Sequence, residues 1–402
     1  MSDAGEGRKL RKVAIVAGES SGDALGAALI AALRKRVGGD LELMGVGGEA
    51  MEAKGLRSLF DYHVFSIVGA SAIVTRLPVL LLRIRQTADA IIRERPDMLV
   101  IIDSPGFTHR VARRVRRHLP DVPIIDYVCP TVWAWKPRRA GRMVAYVDHV
   151  LAVLPFEPEI VTGLGGPPIT YVGHSLVEEP ALVETRRNRS TLDQASGERT
   201  GQPVFLLLPG SRLSELKRHL PVMRDMLVEL GGRYSAPRFV LPAVRRHEER
   251  IRTAVADWPV KPEVVVGPER KWKAFAEADA AVAASGTVLL ELALAGVPCV
   301  SIYKLDPLAR LLVWRITAWS AALPNMIADY PVIAEYMNET VRPGRLARWL
   351  ERLAGDTLQR RAMIEGFACV RERMETARPP SEHAADIVLD VFAQKQKRSE
   401  TR

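Results

Sequence analysis

Residues 12–26 read KVAIVAGESSGDALG. Val13 to Ala17 form an unbroken apolar run, Gly18 stops it, and small residues lead into a helical pattern, DALGAALIAALRKR. A run that does not alternate marks a strand buried on both faces. A strand that turns through glycine into a helix opens a βαβ unit. The same pattern recurs at LELMGVG (41–47), MLVIIDSP (98–105), PIIDYVCP (123–130) and HVLAVLP (149–155), with helical stretches such as GFTHRVARRVRRHL between them. It restarts at VFLLLPG (204–210), RFVLPAV (238–244), EVVVG (263–267), DAAVAAS (279–285) and PCVSIYK (298–304).

Strand–helix alternation of this kind predicts an α/β fold of two doubly wound parallel sheets. Ligands of such sheets bind at the strand C-terminal ends, so a cleft between two of them is the expected site. The polar, weakly patterned stretch 174–202 reads as a linker. Residues 1–173 and 203–385 are then the two domains. The chain closes on a helix end and tail over 386–402, where QKQKRSETR has a disordered composition.

At 402 residues, 48% hydrophobic and 26% charged, each half has enough apolar material for its own core. The net charge of +10 calls for an anionic partner. Aromatics are only 6% and are not interleaved with the basic residues as a base-stacking platform requires, so no nucleic-acid partner is expected. Cys129, Cys299 and Cys369 lie far apart, which suggests neither a disulfide framework nor a zinc site. No signal-peptide core follows MSDAGEGRKLRK, and no stretch reaches the roughly 18 apolar residues of a spanning helix. A cytoplasmic protein that can still lie on a membrane is expected.

Gly18-Glu19-Ser20-Ser21-Gly22 fits G-x-S-x-G, the turn that exposes a serine nucleophile in α/β-hydrolases. That chemistry needs an oxyanion donor from a loop before the nucleophile strand, and only about a dozen residues precede this one. Asp103 with His109 or His174 keeps the required chain order, which decides nothing alone. Ser20 is therefore not expected to attack anything. The turn is a ligand-positioning loop, or an ordinary βα turn capped by Ser21 or Asp23. Gly18, Gly22 and Gly26 miss the dinucleotide spacing, and no Gly-Lys-Ser/Thr follows.

Gly210, Ser211 and Arg212 follow a strand and precede a helix, where backbone N–H groups and a guanidinium can hold phosphate. Ser285, Gly286 and Thr287 repeat that arrangement. Glu291 falls one turn beyond Thr287 on the same helix face, placed to accept from sugar hydroxyls. Asp103 ends an apolar strand, a position suited either to a general base or to an Asx turn before Pro105. Over 65–96, Leu77, Leu80, Leu81 and Ile84 recur at helical spacing beside Arg76, Arg83 and Arg85. Such a stripe is either core packing or a face dipping into anionic lipid.

Taken in order, AGESSGD, IIDSPGF, YVCPTVWAWKPRR, LPFEP, YVGHSLVE, LLLPGSRLSE, ASGTVLLELAL and LPNMIADYPVIAEYMNE resemble the bacterial lipid-A-disaccharide synthases over residues 12–390. WAW (133–135) and PGSR (209–212) are the sharpest motifs. The resemblance implies an inverting glycosyltransferase of GT-B architecture, with two Rossmann-like domains and no cofactor or metal. It would join UDP-2,3-diacylglucosamine to 2,3-diacylglucosamine 1-phosphate, giving the β-1,6 disaccharide 1-phosphate and UDP. Asp103 matches the family's essential aspartate, implying a base for the acceptor 6-hydroxyl, and Arg212 its essential arginine, implying stabilisation of departing UDP. Gly210, Ser211, Ser285, Gly286, Thr287, Glu291 and Asn325 match donor-binding stretches. Gly18, Glu19, Ser21, Gly22 and Asp23 match an acceptor-side loop facing the cleft. Acylated substrates favour membrane contact through Leu77, Leu80, Leu81 and Ile84, hence peripheral association with an anionic inner-membrane surface. A homodimer is left open. Gly106 and Ala334 depart from the family pattern. The alternatives are a UDP-sugar 2-epimerase and a non-catalytic nucleotide- or lipid-binding module.

Overall fold

The computed structural model describes residues 9–38, 40–61, 73–195, 202–234, 236–306, 310 and 316–400, without the side chains of 73–77, 190–195 and 399–400. The chain forms two compact units, one of Met1–Ser175 with Thr376–Arg402 and one of Leu176–Glu375.

The first unit is built on β1 (Lys12–Ala17), β2 (Glu42–Val46), β3 (Arg57–Ser58), β4 (Met98–Ile102), β5 (Ile124–Tyr127), β6 (His149–Ala152) and β7 (Ile169–Tyr171). All pairings are parallel, in the order β3-β2-β1-β4-β5-β6-β7. Its helices are α1 (Ser20–Val37), α2 (Glu49–Glu52), α3 (Ile73–Glu94), α4 (Thr108–His118), α5 (Arg139–Met143) and α6 (Glu157–Gly163). Val13–Ala17 and Met98–Ile102 are wholly buried, as their unbroken apolar runs require.

The second unit opens with α7 (Pro180–Ala195), then β8 (Val204–Leu208), α8 (Leu213–Gly231), β9 (Arg238–Ala243), α9 (Glu248–Val255), β10 (Glu263–Val266) and α10 (Pro268–Glu277). It continues with β11 (Ala280–Ala284), α11 (Thr287–Ala295), β12 (Cys299–Tyr303), α12 (Leu323–Ala328), β13 (Ala334–Met337), α13 (Pro343–Ala354) and α14 (Leu358–Met374). The sheet is parallel in the order β10-β9-β8-β11-β12-β13. Both sheets wind outward from a central strand and then reverse, so β1/β4 and β8/β11 flank the two topological switch points. Each unit is a Rossmann-like doubly wound domain.

The polar stretch expected as a linker is structured over its described part, where α7 takes up most of 174–195, and residues 196–201 lie outside the described residues. Arg189 of α7 is buried, and its guanidinium donates to the carbonyls of Phe275 (2.9 Å), Ala278 (2.6 Å) and Gly296 (3.2 Å). It thereby closes the C-terminal ends of α10 and α11, whose carbonyls carry the negative end of the helix dipole. A polar surface pattern hid one deeply buried arginine.

Residues 401–402 lie outside the described residues, and the described part of the expected tail is helical, with α15 (Pro380–Glu400) continuing through Glu400 as part of the first unit. It lies along α1, where Arg36 pairs with Asp386 and donates to the Glu382 carbonyl (3.0 Å), and Lys395 reaches Asp148 (2.8 Å).

On α3 the apolar stripe splits. Ile84 is only 7% exposed and lies in the core with Ala88 and Ile91, and Leu80 packs against that cluster. Neither Ile84 nor the core-packed side of Leu80 is available to lipid, because the i, i+4 spacing places both over the sheet. Val79, Leu81 and Leu82 face outward instead. Residues 65–72 and the side chain of Leu77 lie outside the described residues.

Candidate functional site

At the first switch point the β1–α1 and β4–α4 loops meet. The Asp103 N–H extends the ladder to the Tyr127 carbonyl (3.1 Å), after which Asp103 (φ 51°) and Ser104 (φ 44°) turn left-handed in succession. The Ser104 N–H then donates to Asp103 Oδ1 (2.6 Å), and its hydroxyl to Glu19 Oε1 (3.1 Å). The Ser21 side chain also lies near the Asp103 carboxylate and favours its charged form. The two loops approach so closely because residue 18 is glycine. A Cβ there would sit 2.6 Å from Ser104 Cβ and 2.7 Å from its Oγ.

Burial raises the Asp103 pKa above its ordinary value, and the nearby Asp126 charge adds to the rise, against the pull of the Ser104 N–H and Ser21. Asp126, on β5, is fully buried. His109 Nε2 lies 3.1 Å from its Oδ2, close but out of hydrogen-bond alignment. His109 Nδ1 contacts the Tyr146 hydroxyl (3.0 Å), which accepts from Arg113 (3.2 Å). The Tyr146 hydroxyl thus links His109 to Arg113.

The next loop holds the WAW motif. Trp133 donates to Glu157 (3.3 Å) and meets the Phe156 ring edge-on at 5.1 Å. Glu157 is buried and also accepts from the Leu154 N–H (3.1 Å), and burial pushes its pKa up to about 8. Trp135 is exposed, with Lys136 Nζ 4.0 Å from its ring centroid. Arg139 donates to the Pro105 carbonyl (3.1 Å), tying this loop to that of Asp103. Seven non-glycine residues among those described have positive φ, and Asp103, Ser104, Val128 and Lys136 are four of them. Strain of this sort costs about 1–3 kcal/mol per residue and gathers at sites where geometry matters.

Of the acceptor-side residues, Gly18, Glu19 and Ser21 stand at this edge, and Gly22 packs beneath it against Ala17 and Ile102. Asp23 does not face outward. It is 5% exposed, and its carboxylate accepts from Gly48 (2.8 Å), Ala50 (3.0 Å) and Met51 (3.1 Å), capping α2 rather than α1. The N-cap position of α1 is Glu19.

At the second switch point Gly210 has φ 108°, and a Cβ on it would lie 2.3 Å from Glu215 Oε2. That oxygen accepts the N–H groups of Ser211 (3.0 Å) and Arg212 (3.1 Å), while Oε1 holds the Arg212 guanidinium (2.9 Å). The two backbone donors expected to cradle phosphate are thus occupied by Glu215. The largely exposed guanidinium is what the loop presents outward. One turn along α8, His219 donates from Nδ1 to the Pro209 carbonyl (2.7 Å) and accepts the Lys304 N–H at Nε2 (3.0 Å). Burial lowers its pKa, in keeping with this neutral tautomer.

Ser285 and Gly286 close β11, and Thr287 begins α11. The Ser285 hydroxyl donates to the Ala321 carbonyl (2.8 Å). Glu291 is gripped by Lys271 Nζ at 2.9 and 3.0 Å, leaving its remaining lone pairs for other donors. Asn325 is 1% exposed. Its Oδ1 accepts from Val332 (2.9 Å) and Ile333 (2.7 Å), and its Nδ2 donates to the Ile333 carbonyl (3.0 Å) and Glu335 (3.2 Å). Both polar atoms are spent within the unit, so Asn325 braces this segment. Glu335, beside the divergent Ala334, accepts from the Ala321 N–H (3.0 Å) and joins the same brace.

Glu215, His219, Lys271, Asp126 and Glu335 were not singled out from sequence. Glu215 and His219 carried one signal, their i, i+4 spacing behind PGSR. Lys271 carried none, because its partner is twenty residues away on another helix.

A family described as lipid-A-disaccharide synthetase matches residues 13–379. A lipid-A-disaccharide synthase of Bradyrhizobium diazoefficiens is 46% identical over 386 residues, 94% of this chain and 96% of that one. Another from Rhodopseudomonas palustris is 46% identical over 388 residues, 96% and 98% of the two chains. Among solved structures, the UDP-GlcNAc 2-epimerase of Methanocaldococcus jannaschii superposes with TM-score 0.60 at 13% identity, over 94% of this chain and 99% of that one. MurG of Acinetobacter baumannii gives 0.53 at 15%, with the same coverage. Those two likenesses concern the fold alone, which is of the GT-B type.

Proposed function

The chain belongs to the lipid-A-disaccharide synthase family, a glycosyltransferase of lipid A disaccharide synthesis, and from that premise we propose how its residues divide the work. The donor is UDP-2,3-diacylglucosamine and the acceptor 2,3-diacylglucosamine 1-phosphate. Asp103 takes the proton of the acceptor 6-hydroxyl, whose oxygen attacks the donor anomeric carbon from the face opposite the leaving group. UDP departs with the bonding pair, and the configuration inverts. Arg212 binds the diphosphate as negative charge grows on it. Ser285, Gly286, Thr287 and Glu291 hold the rest of the donor, and Glu19 and Ser21 serve the acceptor side.

The observation carrying this reading is the setting of Asp103. It is a carboxylate at a switch point, held by the Ser104 N–H with Ser21 nearby, and its pKa is raised toward the range where a general base works best. The epimerase alternative rests on fold alone, while the sequence relatives are synthases. We also assign an anionic membrane surface to the outward face of α3, where Val79, Leu81 and Leu82 stand with Arg85, flanked on α4 by Arg110 and Arg117. No described helix is long and apolar enough to cross a membrane.

The test is disaccharide 1-phosphate formation from the two acylated glucosamines in detergent. Unaltered protein should form it, and Asp103→Ala should lose roughly a hundred- to ten-thousandfold in turnover while still folding and melting cooperatively. Absence of product from unaltered protein would sink the assignment, and full activity of Asp103→Ala would remove the base.

A further inference from the structure

The WAW loop has no part in the mechanism above, yet it is built with care. Trp133 is its root, pinned by Glu157 and the Phe156 ring. Two residues on, Trp135 turns outward, 39% exposed. Lys136 then adopts a left-handed backbone, φ 58°, that costs free energy and sets its ammonium 4.0 Å from the Trp135 ring centroid. A lysine side chain in water spreads over many rotamers, and the attraction of its ammonium to the Trp135 ring face offsets part of the entropy lost in holding one. Among the described residues no carboxylate forms an ion pair with Lys136, while Arg138 and Arg139 follow two and three residues on. Arg139 bonds the Pro105 carbonyl, so the ammonium is moored to the loop that carries Asp103.

We propose that Trp135 and Lys136 form a phosphate subsite that takes the phosphomonoester of the acceptor sugar. The proposal rests on the synthase reading. Trp135 holds the ammonium through its ring face and leaves the N–H groups free to meet phosphate oxygens. The tie from Arg139 to Pro105 then sets the distance between the bound phosphate and Asp103. Two other sources offer the same chemistry, the donor diphosphate and a bilayer headgroup.

Kinetics on the full chain separate these sources. Lys136→Met and Trp135→Ala are measured with acceptor varied at saturating donor, then with donor varied at saturating acceptor. The acceptor KM should rise about tenfold in each, the loss of one charge-assisted hydrogen bond, with donor KM within twofold. Trp135→Phe, which keeps a ring beneath the ammonium, should recover most of the loss. An acceptor lacking its phosphate should suffer no further penalty in Lys136→Met. A raised donor KM instead would overturn the acceptor assignment, as would unchanged KM values. Reduced flotation on anionic vesicles with both KM values unchanged would give the site to a lipid headgroup and overturn it too. Failure of unaltered protein to make any disaccharide would strike the synthase reading, a result distinct from all of these.

Discussion

Gly18→Ala tests whether the approach of two loops sets the position of Asp103. The added Cβ would lie 2.6 Å from Ser104 Cβ and 2.7 Å from its Oγ, where ordinary contacts are about 3.4–4 Å. Relief requires Ser104 to move by about 1 Å, and both strands behind the loops are fully buried and cannot yield. Overpacking of this kind costs about 1–3 kcal/mol. Ser104 donates its N–H to Asp103, so the shift reaches the carboxylate. A displacement of about 1 Å at a reacting group lowers turnover by roughly a hundredfold. Ser104→Gly supplies the control, because it removes the clashing atoms and suits φ 44°. Alone it loses the hydroxyl bond to Glu19, about 1 kcal/mol. Turnover and melting are measured for both single variants and the double. Gly18→Ala should fall sharply, and Gly18→Ala/Ser104→Gly should match Ser104→Gly alone, a coupling of about 1–3 kcal/mol. Full activity in Gly18→Ala, or a double variant as poor as the two losses summed, would refute the reasoning.

Asp103 must be ionised to accept a proton, so the rate rises with pH through its pKa. Asp126→Asn removes a charge that raises that pKa and should move the acid limb of kcat/KM to lower pH, and a limb that stays put or moves up contradicts this. Glu215→Ala strips the acceptor from two backbone N–H groups, about 2 kcal/mol, and the exposed Arg212 pair adds little. The second unit should melt about 4–8 °C lower, and an unchanged melt counts against it. Leu81→Glu/Leu82→Glu should cut flotation on anionic vesicles without lowering melting, whereas Ile84→Glu should destabilise the fold; equal flotation dismisses the α3 face.

The sequence made the sheets legible wherever strands are buried on both faces, because there the apolar run is unbroken. It hid β3, β7 and β13, which lie at sheet edges and are only partly buried, so no such run marks them. Asp103, Glu19, Ser21, Gly210 and Arg212 were visible since each follows a strand at a switch point. What spacing could not tell is which way a side chain points. Asp23 and Asn325 lie in the first turns of helices near the site but turn inward, and Ile84 shares its periodicity with the core. The groups that act on the site from elsewhere, the Asp126 charge near Asp103 and Lys271 on Glu291, belong to other elements and left no local pattern.

The return of α15 to the first unit has a consequence for synthesis. α15 covers a face of α1, so the unit begun by β1 is completed by a helix that follows the whole of the second unit in sequence. On the ribosome, Leu176–Glu375 is contiguous and can close as soon as it emerges, while the earlier segment waits with α1 uncovered until α15 has emerged as well. Order of emergence and order of completion are inverted. Clipping the last thirty or so residues would therefore injure the half of the protein farthest from the cut in sequence, and a separately expressed first unit would need α15 joined to it by circular permutation.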